Sequence, residues 1–423
     1  MFSLLKGSNT STKDGISSFQ ALCTSLSARV GTGNLAGVAV AISLGGAGAI
    51  FWMWMIALLG MATGFAESVL GQLYKVRDEN GEFRGGPAYY IKQGLNKTWL
   101  AVAFSLCLFF GYGFVFSAVQ ANTITDALNN AYSFPTEYVG LAIIALAALI
   151  VVGGLKSIAR FAEFVVPFMG IGYVLVALAI TFINISELPA MLLDIVKSAF
   201  GLQEAGAGAL GAAIKNGIQR GLYSNEAGSG SVPHAAASAV PNPNHPVSQG
   251  YIQMLGVFLD TLVLCTSTAF IILLAGGSSS DQMEGIRLTQ DAMSSHLGEG
   301  GTDFVAAAIS LFAFTSVVAN YAYGESNLHM FKLDNKIGRA VYTIGYLGMI
   351  YWGAQAALPQ VWAMADMALG LMTVINIIAI VWMTPTIVSI SKDYFKKKDT
   401  GANMEYKAGD CEIQGKSEDG IWD

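Results

Sequence analysis

Two glycine-rich polar stretches interrupt long apolar segments of this chain: VGTGNLAG at 30–37 and YSNEAGSGSVP at 223–233. In hydrocarbon, a break in a helix leaves backbone N–H and C=O groups unpaired, at several kcal/mol each. Such breaks persist only where they line a cavity or bind something. The surroundings are membrane-like, because 53% of the 423 residues are hydrophobic and 12% are charged, against roughly 25% charged in soluble domains. Apolar runs of about 20 residues, each able to cross ~30 Å of hydrocarbon, recur along the chain.

Ten spans are expected, at 16–43, 47–76, 98–126, 137–154, 158–183, 206–238, 247–275, 302–329, 336–357 and 360–392. The first and the sixth contain the breaks. The segment 85–95 is too short to cross and reads as a surface or re-entrant helix. The long loop 276–301 suggests a helix over 284–297. With the N-terminus inside, the cytoplasmic loops collect sixteen Lys and Arg residues and the outer loops only Lys197 and Arg287. Basic residues accumulate on the cytoplasmic side of membranes. Both termini are therefore expected inside, in the cell (inner) membrane. Five spans followed by five of opposite orientation make an inverted-topology repeat, the arrangement that puts a binding site at two discontinuous helices. The domains follow: a cytoplasmic segment 1–15, repeats 16–183 and 206–392, an external connection 184–205, and a cytoplasmic tail 393–423. The tail's charged, polar composition suggests disorder.

The residue types at the breaks suit ligand binding. Around Gly31, Thr32, Gly33 and Asn34, glycines permit non-helical backbone. The helix ends beside them offer amides to a carboxylate and carbonyls to a cation. Packing of small residues is the alternative for Gly33 and Gly37. At Ser224, Asn225 and Glu226 the choice lies between a binding break and a loop joining two short helices. Glu226 could ligand a cation or pair with Arg29 or Arg220, and a structural ion pair or gate is the preferred reading. In the eighth span Ser316 and Asn320 share a face at i,i+4, while Thr315 points towards a neighbouring helix. Gln120 in the third span could read a ligand's polar end or bond another helix. Glu67 and Asp260 are further intramembrane acids, Asp260 the deepest, with capping or ion pairing against a proton-relay role.

The chain has no HExxH spacing among its four histidines, no Walker loop and no nucleotide fingerprint, so metalloprotease and ATP-driven chemistry are not expected. No nucleic-acid or nucleotide partner is implied. The four cysteines show no pairing or metal spacing. Ser229 or Ser231 with His234 could outline a membrane hydrolase, but without a nucleophile elbow.

The run Gly45–Gly60, with its Phe51-Trp52-Met53-Trp54, resembles the signature of the alanine or glycine:cation symporter family, the sodium:alanine symporters. GTGNLAGVA (31–39), GMATGFAE (60–67), GGPAYY (85–90), SNEAGSGSVP (224–233) and FLDT (258–261) are similar as well, so the resemblance covers nearly the whole chain. It implies a LeuT-type fold and inward co-transport of a small neutral amino acid with Na⁺. By that resemblance Thr32, Gly33, Asn34, Ser224 and Asn225 would cradle the amino acid's carboxylate and amine. Gln120, Ser316 and Asn320 would close the pocket, and the Gly31 backbone with Thr315 or Ser316 would hold Na⁺. Members of that family carry one more transmembrane helix ahead of the core, and this sequence starts at the loop that follows it. Asn320 lies where some members have a bulky aromatic, which leaves room for a larger substrate such as glutamine.

The expectation is a Na⁺-coupled transporter without any other cofactor, and not an enzyme. Its rivals are a glutamine-preferring or proton-coupled transporter and a non-transporting amino-acid sensor.

Overall fold

A computed structural model describes residues 2–5, 8, 15–78, 81–151, 154–202, 207–277 and 285–422. Most of the expected N-terminal segment 1–15, positions 203–206 of the external connection and 278–284 of the long loop lie outside the described residues. The chain is almost all helix, with one two-residue hairpin pairing Val76–Arg77 with Phe83–Arg84.

Among the described residues, six helices are long and apolar enough to cross a membrane: Gly48–Leu73, Thr98–Tyr132, Ser157–Ile183, Pro246–Leu274, Gly300–Met330 and Leu358–Trp382. The other four expected spans fall outside that set, two of them because of the expected breaks. Two are broken, as Ser18–Arg29 followed by Gly33–Gly45, and as Ala207–Asn225 followed by Val232–Ser238. Thr136–Val151 is apolar and ends at positions 152–153, which lie outside the described residues. Lys336–Gln355 reaches 20 residues, with Lys336 and Arg339 lowering its hydropathy. The expected span 360–392 ends early, because Thr384-Pro385 starts a separate helix, Thr384–Thr400, with Pro in its first turn where the missing N–H costs nothing. The loop helix is Ile286–Leu297 and the short one Pro87–Gly94.

Packing near the breaks uses small residues. A Cβ on Gly217 would strike the Ala49 carbonyl and come within 2.6 Å of the Trp52 Cβ. One on Gly221 would strike Ile56. This i,i+4 glycine pair lets Ala207–Asn225 lie directly on Gly48–Leu73, the close approach that helix pairs use in lipid. The aromatic run is anchored at both indoles. Trp52 donates to the Ala199 carbonyl at 3.0 Å and Trp54 to the Thr266 hydroxyl at 2.8 Å.

Three helices contain wide, π-type turns, at Gly33–Gly37, Gly111–Val115 and Phe258–Cys265. An extra residue in a turn re-aims the side chains that follow it, and such turns concentrate at functional sites.

The tail expected to be disordered is instead packed against the rest of the chain. The Trp422 indole is 2% exposed and donates to the Leu73 carbonyl at 3.1 Å. The Lys75 ammonium lies 4.9 Å from its ring centroid. The Tyr406 amide bonds the Asn244 carbonyl at 2.9 Å, and Lys397 bridges Asp393 and Asp410 at 2.8 and 2.6 Å.

Candidate functional site

The two breaks lie against each other. A Cβ on Gly33 would come within 2.9 Å of the Ser224 Cα, so only glycine permits the contact. At the first break the helix stops at Val30, whose ψ of 89° leaves the helical region. The freed Gly31 amide donates to Asn34 Oδ1 at 2.9 Å. The Thr32 amide and hydroxyl both donate to Gln120 Oε1, at 2.9 and 2.7 Å. Gln120 thus reads backbone as well as side chain. A Cβ on Gly31 would strike Ser316 Oγ and lie 2.7 Å from Gln120 Oε1.

Asp260 ties the two breaks together. Its carboxylate accepts from Asn34 Nδ2 at 2.8 Å, Ser224 Oγ at 2.9 Å and Thr261 Oγ1 at 2.8 Å. The Asn34 amide also reaches the Asp260 carbonyl at 3.2 Å, and Cys265 lies 3.1 Å from Ser224 Oγ. The wide turn Phe258–Cys265 supplies Asp260, Thr261 and Cys265 together. Sequence reading singled out Asp260 alone, since a 3.6-residue period does not put these three side by side.

The second break is held by a carboxylate from elsewhere. Glu226, Gly228 and Gly230 have φ of 55°, 87° and 89°, which turns successive amides to one side. The Gly228 and Gly230 amides each donate to Glu67, at 3.1 Å. Asn376 donates to Glu67 Oε2 at 2.8 Å and to the Gly228 carbonyl at 3.0 Å, and Tyr90 holds Asn376. Asn376 and Tyr90 gave no sequence signal, being about 309 and 23 residues from Glu67 along the chain. The Asn225 Oδ1 accepts from the Ala227 amide at 3.0 Å, while its Nδ2 has no partner among the described residues.

The expected ion pairs turn out differently. Arg220 pairs with Asp366 at 2.6 Å and lies 4.3 Å over the Trp362 ring. Arg29 and Glu226 line one void of about 10 Å³ with Gln120, Tyr223 and Asn320. Among the described residues they form no ion pair with each other. Glu226 accepts from Ser231 Oγ at 2.7 Å. Arg29 reaches the Gln253 carbonyl at 3.5 Å and leaves Nε and Nη2 unpartnered. Asn320 Oδ1 is likewise buried without a partner. His234 Nδ1 meets the Ser231 carbonyl, not a hydroxyl, at 3.2 Å, so the serines and His234 do not make a nucleophile–base pair.

The eighth span closes the site from the first half-helix's C-terminal end. Thr315 Oγ1 lies 3.3 Å from the Ser27 carbonyl, and Ser316 Oγ lies 3.4 Å from the Val30 carbonyl. Each hydroxyl thus meets a carbonyl at the negative end of the first half-helix, while both also donate back to the Phe312 carbonyl, at 2.8 and 3.2 Å. Thr32, Asn34, Gln120, Ser224 and Ser316 come together around the breaks, Asn320 lines the adjoining void, and Asn225 is buried at the second break.

A helical protein with repeated apolar spans and two facing helix breaks is a multi-pass membrane transporter. The profile of the sodium:alanine symporter family matches residues 1–408, and the chain belongs to that family. It is 48% identical to the probable sodium/glutamine symporter GlnT of Bacillus subtilis, over 94% of this chain and 82% of that one. It is 45% identical to the amino-acid carrier protein AlsT of the same organism, over 93% and 83%. With the sodium/alanine symporter AgcS of Methanococcus maripaludis the identity is 38%, over 92% and 86%. A crystal structure of a manganese transporter from Eremococcus coleocola, a histidine mutant, shares the fold with a TM-score of 0.54 at 12% identity, over 86% of this chain and 75% of that one.

Proposed function

We propose that this chain imports a small neutral amino acid with Na⁺ by alternating access, through a LeuT-type five-plus-five inverted repeat of ten spans with both termini cytoplasmic. The observation that carries the reading is the pair of contacts at the C-terminal end of the first half-helix, Thr315 Oγ1 with Ser27 O and Ser316 Oγ with Val30 O. Each hydroxyl now donates to a helix carbonyl, and turning its O–H away frees a lone pair, giving four neutral oxygens for a hard cation. The amides of Gly31 and Thr32 would suit a carboxylate that displaced their present acceptors, Asn34 Oδ1 and Gln120 Oε1, and Asn225 and Asn320 offer uncommitted polar atoms to the rest of an amino acid. One Na⁺ entering down ~100 mV contributes ~2.3 kcal/mol, which at ~1.36 kcal/mol per decade supports roughly 50-fold accumulation of a zwitterion.

Uptake of labelled alanine and glutamine into proteoliposomes, with and without an inward Na⁺ gradient, tests this. Thr315→Val and Ser316→Ala should each raise the Na⁺ concentration for half-maximal uptake about ten-fold. Uptake that ignores Na⁺ in the unaltered protein overturns the reading.

Two finer variants have observations behind them. The orphaned Asn320 Oδ1 would accept from a substrate amide, which favours glutamine, and competition of glutamine against alanine measures that preference. Asp260 is fully buried with no basic side chain among its hydrogen-bond partners, which favours a proton carried in the cycle. Asp260→Asn abolishing uptake that persists without Na⁺ would establish proton coupling.

A further inference from the structure

A polar cavity shares no residue with the site at the breaks. It measures about 380 Å³ and is lined by Asn122, Thr125, Asp126, Asn129, Arg287 and Gln355 among others. That volume falls within the ~300–1,000 Å³ of small-molecule sites. In the orientation proposed above the cavity opens on the outer side.

Its two charges are opposite and adjacent. Arg287, on the loop helix, donates to Asp126 Oδ1 from Nε at 2.9 Å and Nη2 at 2.6 Å. Among the described residues, Asp126 Oδ2 and Arg287 Nη1 have no hydrogen-bond partner. Both side chains are partly solvated, at 44% and 27% exposure. A solvent-exposed ion pair contributes little net stability, so separating it to engage another pair of charges costs little. An α-amino acid carries that pair on a single carbon, with its carboxylate matching Arg287 and its ammonium matching Asp126. Asn129 Oδ1 and Gln355 then offer hydrogen bonds to a polar side chain, while the Thr125 hydroxyl donates to the Asn122 and Ala354 carbonyls.

The cavity is also connected to the first break. The loop helix bearing Arg287 donates from Thr289 Oγ1 to the Leu35 carbonyl at 3.2 Å, inside the first wide turn. Gln290 on the same helix fixes it to Ala127 and Asn130 at 3.1 and 3.0 Å. Whatever draws Arg287 away from Asp126 therefore acts on the element that touches the outer half of the broken helix.

We infer that this cavity is a second, outer amino-acid site, weak and independent of Na⁺, which binds a zwitterion between Arg287 and Asp126 and is coupled to the central site through Thr289. The choice of an amino acid as occupant rests on the reading of the central site, while the charges and the cavity do not.

The test is equilibrium binding of labelled alanine to the full chain in nanodiscs, in NaCl and with N-methylglucamine replacing Na⁺. Two components are expected in Na⁺. The weaker one, on the order of millimolar, should persist without Na⁺. Arg287→Gln and Asp126→Asn should each weaken that component at least ten-fold and leave the Na⁺-dependent one within about two-fold. Millimolar unlabelled alanine should change the release rate of label from the Na⁺-dependent site in the unaltered protein but not in Thr289→Val. The inference is overturned if no Na⁺-independent component exists, or if it survives both charge substitutions. Should Arg287→Gln fail to fold, Asp126→Asn alone decides. A Na⁺-independent component without any Na⁺-dependent one would instead overturn the central-site reading alone.

Discussion

At the scale of single residues, the site depends on a few side chains that each serve both backbone and neighbour. Asn34 is the clearest case, because one amide group accepts from Gly31 and donates to Asp260. Asn34→Ala orphans a buried amide and removes one partner of a buried carboxylate, each worth about 1–3 kcal/mol. Initial uptake rates should fall at least ten-fold at equal membrane abundance. Thr32, Asn34, Ser224 and Ser316 were legible in the sequence, since a polar residue among glycines in an apolar run is a local signal. Glu67 was legible only as an intramembrane acid. Its partners, Gly228, Gly230 and Asn376, are set by the tertiary fold and leave no trace in the spacing. Arg220 was likewise readable as a charge needing a partner, but which acid it would meet, Asp366 and not Glu226, depends on how Leu358–Trp382 packs.

At the scale of elements, backbone irregularity does the positioning. Gly230 has φ of 89°, and a Cβ there would fall 2.5 Å from both Phe104 and Pro87. Gly230→Ala combines left-handed strain of about 1–2 kcal/mol with a clash at backbone that Glu67 holds in place. A lower melting temperature in detergent should accompany lost uptake, and Gly208→Ala, which meets nothing within 4 Å, is the matched control. The breaks announce themselves because glycine clusters interrupt hydropathy. The wide turn Phe258–Cys265 does not, since FLDTLVLC is apolar enough to continue an ordinary helix, and only the packed structure shows the extra residue in the turn.

At the scale of the whole molecule, the tail was the least legible part. Window composition there is charged and polar, yet two aromatics, Tyr406 and Trp422, carry it into contact with the ends of several helices. Those contacts surround His245, which caps the helix Pro246–Val257 just ahead of its span and bonds Asp393 at 3.2 Å. Burial pushes the imidazole down to about 4, outweighing the opposing pull of Asp393, while Lys397 adds to the depression. The folded chain therefore binds fewer protons than the unfolded one between pH 4 and 6.5. Stability is complete above about 6.5 and is lost as pH falls through that window. Melting temperature should drop from pH 6.5 towards 4, and His245→Gln should flatten that slope. A last consequence concerns which ions the machine must draw from its surroundings. The amides of Gly228 and Gly230 form a ready receptor for negative charge, and Glu67 fills it from within the chain. The protein is thereby its own counter-anion, and its cycle should be indifferent to halide. Glu67→Ala would vacate that receptor and make transport depend on chloride, measurable as uptake restored by chloride but not by gluconate.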